Sequence, residues 1–74
     1  MTCEQHSGQT YEFRVRGHLG DTMLGAFPDL QARVRGADTV LVGIVADQAA
    51  LHGVLADIEA LRLELLEVRR LPPG

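Results

Sequence analysis

Hydrophobic and polar residues alternate strictly in two segments of the chain, at residues 11–16 and 30–35. Such alternation predicts strands with one face buried and the other exposed to water. Residues 39–46 are instead apolar at nearly every position, as expected for a central strand that is covered on both faces. A further apolar run from Leu63 to Val68 predicts a fourth strand, Leu63 to Leu71, which ends before Pro72-Pro73-Gly74.

Residues at helical spacing connect the first strand to the second and the third strand to the fourth. One helix is predicted over 19–27, a segment for which a strand is the alternative, and Pro28 ends it. The other is predicted over 48–61, with Asp47 as its N-cap and Arg62 in a left-handed position after its last turn. The apolar stripe of this second helix consists of Leu51, Val54, Leu55, Ile58 and Leu61.

The order of these elements, β-α-β-β-α-β, predicts an α+β fold of the ferredoxin-like type. Such a fold has a four-stranded antiparallel sheet with two helices on one face. From the handedness of crossover connections we also expect the first and third strands to lie side by side and parallel, with the second and fourth strands at the edges. The single domain is predicted to span residues 10–71, between a flexible N-terminal tail at 1–9 and a C-terminal tail at 72–74.

Three segments of the sequence resemble a known family. They are Arg16-Gly17-His18-Leu19, Asp47-Gln48-Ala49-Ala50-Leu51-His52-Gly53 and Leu65-Leu66-Glu67-Val68. Over residues 11–70 the chain is similar to small uncharacterised proteins from actinobacteria and related soil bacteria. It departs from them where Met23 and Leu61-Arg62-Leu63-Glu64 stand in place of a usual tryptophan and a usual Leu-Gly-Leu-Pro sequence. The resemblance implies a ferredoxin-like fold and no particular activity.

The composition limits the classes of partner and location. The net charge is −3, with seven arginines and no lysine, so attraction to nucleic acid or to an anionic membrane surface is not expected. No apolar stretch approaches the ~20 residues that a membrane-spanning helix needs. The single cysteine, Cys3, has no second cysteine with which to form an intrachain disulfide, which favours a reducing, cytoplasmic location.

Four arginines form the most suggestive polar set in the sequence. They are predicted on the sheet face opposite the helices, together with Glu12 and Glu67, because they alternate outward from the first two strands. One hypothesis is a site for a carboxylate or phosphate ligand, and the other is a solvated surface with salt bridges. Leu41 and Val45 are predicted on the same face, where a second sheet would cover them in a dimer. The four arginines are Arg14, Arg16, Arg33 and Arg35.

The histidines and the cysteine provide few groups for catalysis or metal binding. His52 is a candidate ligand-binding residue or general base, but no Ser, Cys or Asp lies three or four residues away on its helix to assist it. His18 lies in the sequence Gly17-His18-Leu19-Gly20, which predicts a tight turn, with an anion-binding or nucleic-acid-binding loop as the less favoured alternative. Cys3 and His6 have the spacing of metal ligands but lack the further ligands of a zinc site. We therefore expect neither a metal nor a cofactor.

Small size favours association, because a domain this short buries only about 60% of its surface on folding. The leading hypothesis is a non-catalytic homodimer that binds another protein or a regulatory ligand, with its interface on the sheet face or on an edge strand. The alternative is a small-molecule-binding protein or cofactor-independent enzyme of the dimeric α+β-barrel type. A cavity lined by His18 or His52 would favour the alternative, and a filled interior with sheet-to-sheet contact would favour the first hypothesis.

Overall fold

The structure of the protein is a computed structural model, which describes residues 8–72. The strands form one sheet in the order β2-β3-β1-β4, and each neighbouring pair is antiparallel. The predicted βαββαβ order and the ferredoxin-like α+β fold are confirmed. The elements are β1 (Gln9–Arg16), α1 (Asp21–Leu24), β2 (Gln31–Arg35), β3 (Asp38–Val45), α2 (Gln48–Ala60) and β4 (Leu65–Leu71).

The expectation that the first and third strands run parallel is wrong. β1 and β3 are neighbours, as expected, but they run antiparallel with Phe13 opposite Leu41. The connection through α1 brings β2 back in the same direction as β1, and the turn at Gly36 (φ 61°) then reverses the chain into β3. The crossover rule therefore applies to β1 and β2, which lie on either side of β3.

The first helix is much shorter than the predicted span of 19–27. It forms a single turn at Asp21–Leu24, with Gly20 before it and Gly25 after it. Each glycine carries a backbone entropy cost of up to about 1 kcal/mol relative to alanine, so the helix does not propagate beyond one turn. A helix this short covers little of the sheet, and all five residues of β2 are exposed.

The second helix has the two ends that the sequence predicts. At its start, the Ala50 N–H donates to Oδ1 of Asp47 over 2.8 Å. At its end, Arg62 adopts a left-handed conformation with φ of 60°. The Arg62 N–H then donates to the Glu59 carbonyl and the Leu63 N–H to the Ile58 carbonyl, which is the Schellman pattern that satisfies the last carbonyls of a helix.

The hydrophobic core lies between the sheet and α2. Its buried residues come from the first and third strands, from α2 and from the segment after α1, and the predicted stripe of α2 packs against them. We call the side of the sheet that carries this core the helix face, and the opposite side the open face. The buried core residues are Phe13, Val15, Phe27, Leu41, Val45 and Ile58.

Gly43 explains how the chain crosses the helix face of β3. A Cβ atom at this position would lie only 2.6 Å from the Asp29 carbonyl oxygen and 2.6 Å from Cδ2 of Leu30. Glycine inside a strand commonly marks such a close approach of another backbone. The segment that leads into β2 therefore depends on the missing side chain at position 43.

The N-terminal boundary of the sheet lies at Gln9, where β1 begins opposite Val45. Gly8 is packed against the end of β3, because a Cβ there would lie 2.9 Å from the Val45 carbonyl oxygen. The rest of the predicted N-terminal tail, with Cys3 and His6, and residues 73–74 of the predicted C-terminal tail lie outside the described residues.

Candidate functional site

The four arginines lie on the open face, as the sequence predicts. Arg14 and Arg33 are the cross-strand neighbours of Val40, on either side of it, and Arg16 and Arg35 flank Asp38 in the same way. Val40 is buried although neither helix described within residues 8–72 covers this face. Long arginine side chains cover apolar neighbours with their methylene groups, and the positions of Arg14 and Arg33 account for the burial of Val40.

The predicted placement of Leu41 and Val45 on the open face is wrong. Leu41 is 1% exposed and Val45 4% exposed, and both belong to the core on the helix face. Because successive strand residues point to opposite faces, the open face of β3 carries Val40, Val42 and Ile44 instead. Among the strand residues that the structure describes, only Ile44 offers a large exposed apolar side chain there, at 67%.

Ion pairs connect β1 to its neighbours across the open face. Nε of Arg69 lies 3.2 Å from Oε1 of Glu12, and Arg14 lies 3.8 Å from Asp38 and 4.0 Å from Glu67. Nε of Arg14 is buried and has no hydrogen-bond partner among the described residues. These contacts confirm that Glu12 and Glu67 share the face of the arginines. The result is a surface whose central charges already have partners.

The arginines of β2 differ from those of β1 in this respect. Arg16 on β1 pairs with Glu64, with Nε 3.3 Å from Oε1. Over residues 8–72, Arg33 and Arg35 on β2 have no carboxylate oxygen within 4.0 Å. The set of four therefore divides into a paired half at the centre of the sheet and a half at its edge that is available for an external carboxylate.

His18 and His52 do not form one site. Nε2 of His18 lies 2.8 Å from the Gly36 carbonyl oxygen, so His18 ties the loop after β1 to the β2–β3 turn. His52 is exposed on α2 and lines a cleft between that helix and β4. Gly17 has φ of 87°, and its carbonyl accepts a 2.7 Å hydrogen bond from the Thr39 hydroxyl, which supports the tight-turn interpretation of residues 17–20.

The cleft beside His52 is a cavity of the kind that favours the small-molecule-binding alternative, but the sequence did not predict its other lining residues. Its volume is about 470 Å³. Leu55, Ile58 and Leu63 give it apolar walls, and His52 and Glu59 are its polar lining residues. Leu65, which is 37% exposed, lies at its β4 side. The spacing of His52, Ala56 and Glu59 on α2 is the only sequence signal of this surface, because positions i, i+4 and i+7 share one side of a helix.

The two edge strands expose different sequences. The outer edge of β4 presents Glu67-Val68-Arg69, with both charged residues on the open face and Val68, 38% exposed, on the helix face. The outer edge of β2 presents Arg33-Val34-Arg35, with Val34 69% exposed on the helix face. In the part of the chain that the structure describes, no strand pairs with either outer edge.

Over residues 8–72, no three His, Cys, Asp or Glu side chains come together closely enough to hold a metal ion. In the same region, neither helix has the length and apolar content needed to span a bilayer.

A family model matches residues 10–69, and the chain belongs to that family, which is described as Domain of unknown function (DUF8691). The membership agrees with the resemblance to uncharacterised proteins that the sequence motifs indicate. No curated protein and no solved structure matches the chain. The function of the family is not known, so any function must be argued from the surfaces described above.

Proposed function

We propose that the protein is a small, non-catalytic homodimeric interaction module whose two copies join at the outer edges of β4. The observation that carries the proposal is the sequence Glu67-Val68-Arg69 along an edge that no described strand occupies. An exposed edge presents unpaired N–H and C=O groups to a second strand. A two-fold contact would produce one antiparallel sheet of eight strands.

The charges on β4 select one register for this contact. If the two-fold axis passes through Val68, Glu67 of each copy lies opposite Arg69 of the other, and the two Val68 side chains meet on the helix face. An axis through Glu67 would instead place two glutamates opposite each other, and an axis through Arg69 would do the same with two arginines. Two complementary pairs therefore form in only one of the three registers.

The open face is a less favourable interface than the β4 edge. Packing two open faces together would remove many charges from water, and each costs several kcal/mol unless new partners replace the solvent. Ile44, with Val42 beside it, supplies too little exposed apolar area to offset this cost. The charged side chains on this face are Glu12, Arg14, Arg16, Arg33, Arg35, Asp38, Glu67 and Arg69.

The experiment is a charge-swap test by analytical ultracentrifugation at concentrations well above micromolar. We expect the unmodified chain to sediment as a dimer of two 8.1 kDa chains. Glu67→Arg and Arg69→Glu should each give monomers, because each variant places like charges opposite each other. An equimolar mixture of the two variants should restore the dimer, since the arginines of one would face the glutamates of the other.

The mixture protects the test from a folding artefact, because misfolded variants would not regain association on mixing. Ile44→Arg is the matched control on the open face, and we expect it to leave the dimer intact. Dissociation of Ile44→Arg with no effect at positions 67 and 69 would place the interface on the open face. A monomeric unmodified chain would refute dimerisation through either surface.

A second candidate function is small-molecule binding in the cleft between α2 and β4. The cleft lined by His52 favours it, because ligand sites are apolar concavities with a few polar groups. The test is the fluorescence of 1-anilinonaphthalene-8-sulfonate, an apolar anion that reports binding. We expect Ala56→Trp to fill the cleft and abolish the signal. Absence of binding to the unmodified chain, or equal binding to Ala56→Trp, would contradict a cleft site.

The proposal includes a bacterial, cytoplasmic location. It is supported by the single cysteine and by the resemblance to actinobacterial proteins. Nucleic acid is not among the proposed partners, because the net charge is −3.

A further inference from the structure

The outer edge of β2 has the features of a strand-binding site. All five residues of β2 are exposed, and the single turn of α1 leaves Val34 69% exposed on the helix face. On the open face, Arg33 and Arg35 stand two residues apart without a carboxylate within 4.0 Å among residues 8–72. Edge strands that add a further strand combine backbone hydrogen bonds with side-chain specificity at alternate positions.

We propose that this edge binds an extended acidic segment of a partner protein as a fifth, antiparallel strand. The segment carries two carboxylate residues separated by one apolar residue. In the antiparallel register the carboxylates lie opposite Arg33 and Arg35 on the open face, and the apolar residue lies opposite Val34 on the helix face. Guanidinium groups suit this ligand because they bind carboxylates with two parallel hydrogen bonds.

A second copy of the chain is a poor occupant of the β2 edge. A two-fold contact centred on Val34 places Arg33 opposite Arg35, which is unfavourable between directly opposed strand residues. Docking of β4 onto β2 is also poor, because β4 offers one glutamate and one arginine to the two arginines of β2. The two arginines of the β2 edge therefore favour a strand that carries two carboxylates. This local preference holds although the net charge of the whole chain is −3.

The inference does not depend on dimerisation through β4, since the two edges lie at opposite ends of the sheet. The test uses a fluorescent peptide of sequence Thr-Val-Glu-Val-Glu-Val-Thr, blocked at both ends, and the full chain, with binding followed by anisotropy. The control peptide has lysine in place of both glutamates. We expect the acidic peptide to bind and the lysine peptide not to bind.

Variants of the chain then assign the peptide to β2. Arg33→Glu combined with Arg35→Glu should weaken binding of the acidic peptide at least tenfold and should create binding of the lysine peptide. Arg16→Glu makes one such charge reversal, where the double variant makes two, on the same face but two strands away from the β2 edge. It should bind the acidic peptide as tightly as the unmodified chain does.

Three results would overturn the proposal. The first is no binding of the acidic peptide to the unmodified chain. The second is equal weakening by Arg16→Glu and by the double variant, which would indicate general charge attraction. The third is a double variant that does not bind the lysine peptide although its urea midpoint shows that it is folded. A failure of the proposed β4 dimer would not be confused with a failure of the β2 site. Monomers of Glu67→Arg retain the β2 edge and should still bind the acidic peptide.

Discussion

Gly43→Ala tests the assignment of faces in β3 most directly. The new methyl group would lie 2.6 Å from the Asp29 carbonyl oxygen and 3.2 Å from Cα of Leu30. Backbone atoms cannot rotate away as a side-chain end can, so the crossing segment must shift. Overpacking of this kind costs about 1–3 kcal/mol. Replacing a strand glycine by alanine otherwise favours folding by about 0.5–1 kcal/mol. We therefore expect a net loss of roughly 1 kcal/mol, and at most about 2.5 kcal/mol, in the free energy of unfolding.

The assay is urea denaturation, with Gly53→Ala as a matched control. Gly53 lies within α2, and a Cβ there would have no atom within 4 Å. The same substitution should therefore stabilise the chain by about 0.5–1 kcal/mol at position 53, opposite in sign to its effect at position 43. A difference of 1 kcal/mol shifts the thermal midpoint by roughly 4–8 °C in a domain of this size. Stabilisation by both substitutions would refute the close approach at Gly43 and the face assignment of β3.

Three further substitutions test α2. Asp47→Ala should lower the free energy of unfolding by about 1 kcal/mol, because it removes the acceptor of the Ala50 N–H. The mass of the dimer should not change. Loss of association instead would give Asp47 a binding role. Arg62→Gly should raise stability by up to about 1 kcal/mol, because glycine adopts positive φ without the penalty of a Cβ, and Arg62→Ala should show no such gain in the urea midpoint. Leu55→Ala should cost about 2–3 kcal/mol, in the lower part of the range for core truncations because Leu55 is only half-buried. A loss below about 0.5 kcal/mol would contradict packing of the α2 stripe on the sheet.

The elements whose hydrophobic pattern is compatible with only one orientation were predictable from the sequence. β1 alternates, so the placement of Arg14 and Arg16 on the open face followed from its apolar neighbours. The N-cap at Asp47, the stripe of α2 and the left-handed position at Arg62 are local features, and the structure confirms each of them. The four-stranded sheet followed from the order of the elements, because few topologies accommodate that order.

The face assignment of β3 was not predictable from periodicity, because both of its faces are apolar. A shift of one residue exchanges the two faces of a strand, so Leu41 and Val45 were expected where Val40, Val42 and Ile44 lie. Gly43 is the residue that identifies the helix face of β3, since a glycine within a strand commonly marks the face that another backbone approaches. The length of α1 depends on how the chain packs between α1 and β2. The cleft beside His52 depends on how α2 lies against β4. Local pattern determines neither.

The two edge strands differ by one charge reversal, and this difference governs assembly. β4 presents Glu67-Val68-Arg69, which is complementary to itself in a two-fold contact, whereas β2 presents Arg33-Val34-Arg35, which is not. A dimer joined at β4 therefore has β2 at both ends of its sheet, and the β2 edges of two such dimers repel each other. Natural sheets commonly protect their edges with such charges, because open edges otherwise continue to add strands.

Arg33→Glu should remove that protection and convert the closed dimer into an open chain of dimers. The substitution gives β2 the same order of charges as β4, so the glutamate introduced at position 33 would lie opposite Arg35 of a neighbouring dimer. Contacts through β4 and β2 would then alternate without closing, which leads to fibres. Light scattering should show an average mass that rises with concentration beyond two chains. The double variant Arg33→Glu with Arg35→Glu again opposes like charges and should remain a dimer. Polymerisation of the double variant as well would show that loss of the arginines, and not the order of charges, opens the β2 edge. A single variant that stays dimeric would refute the role of charge order at the two edges.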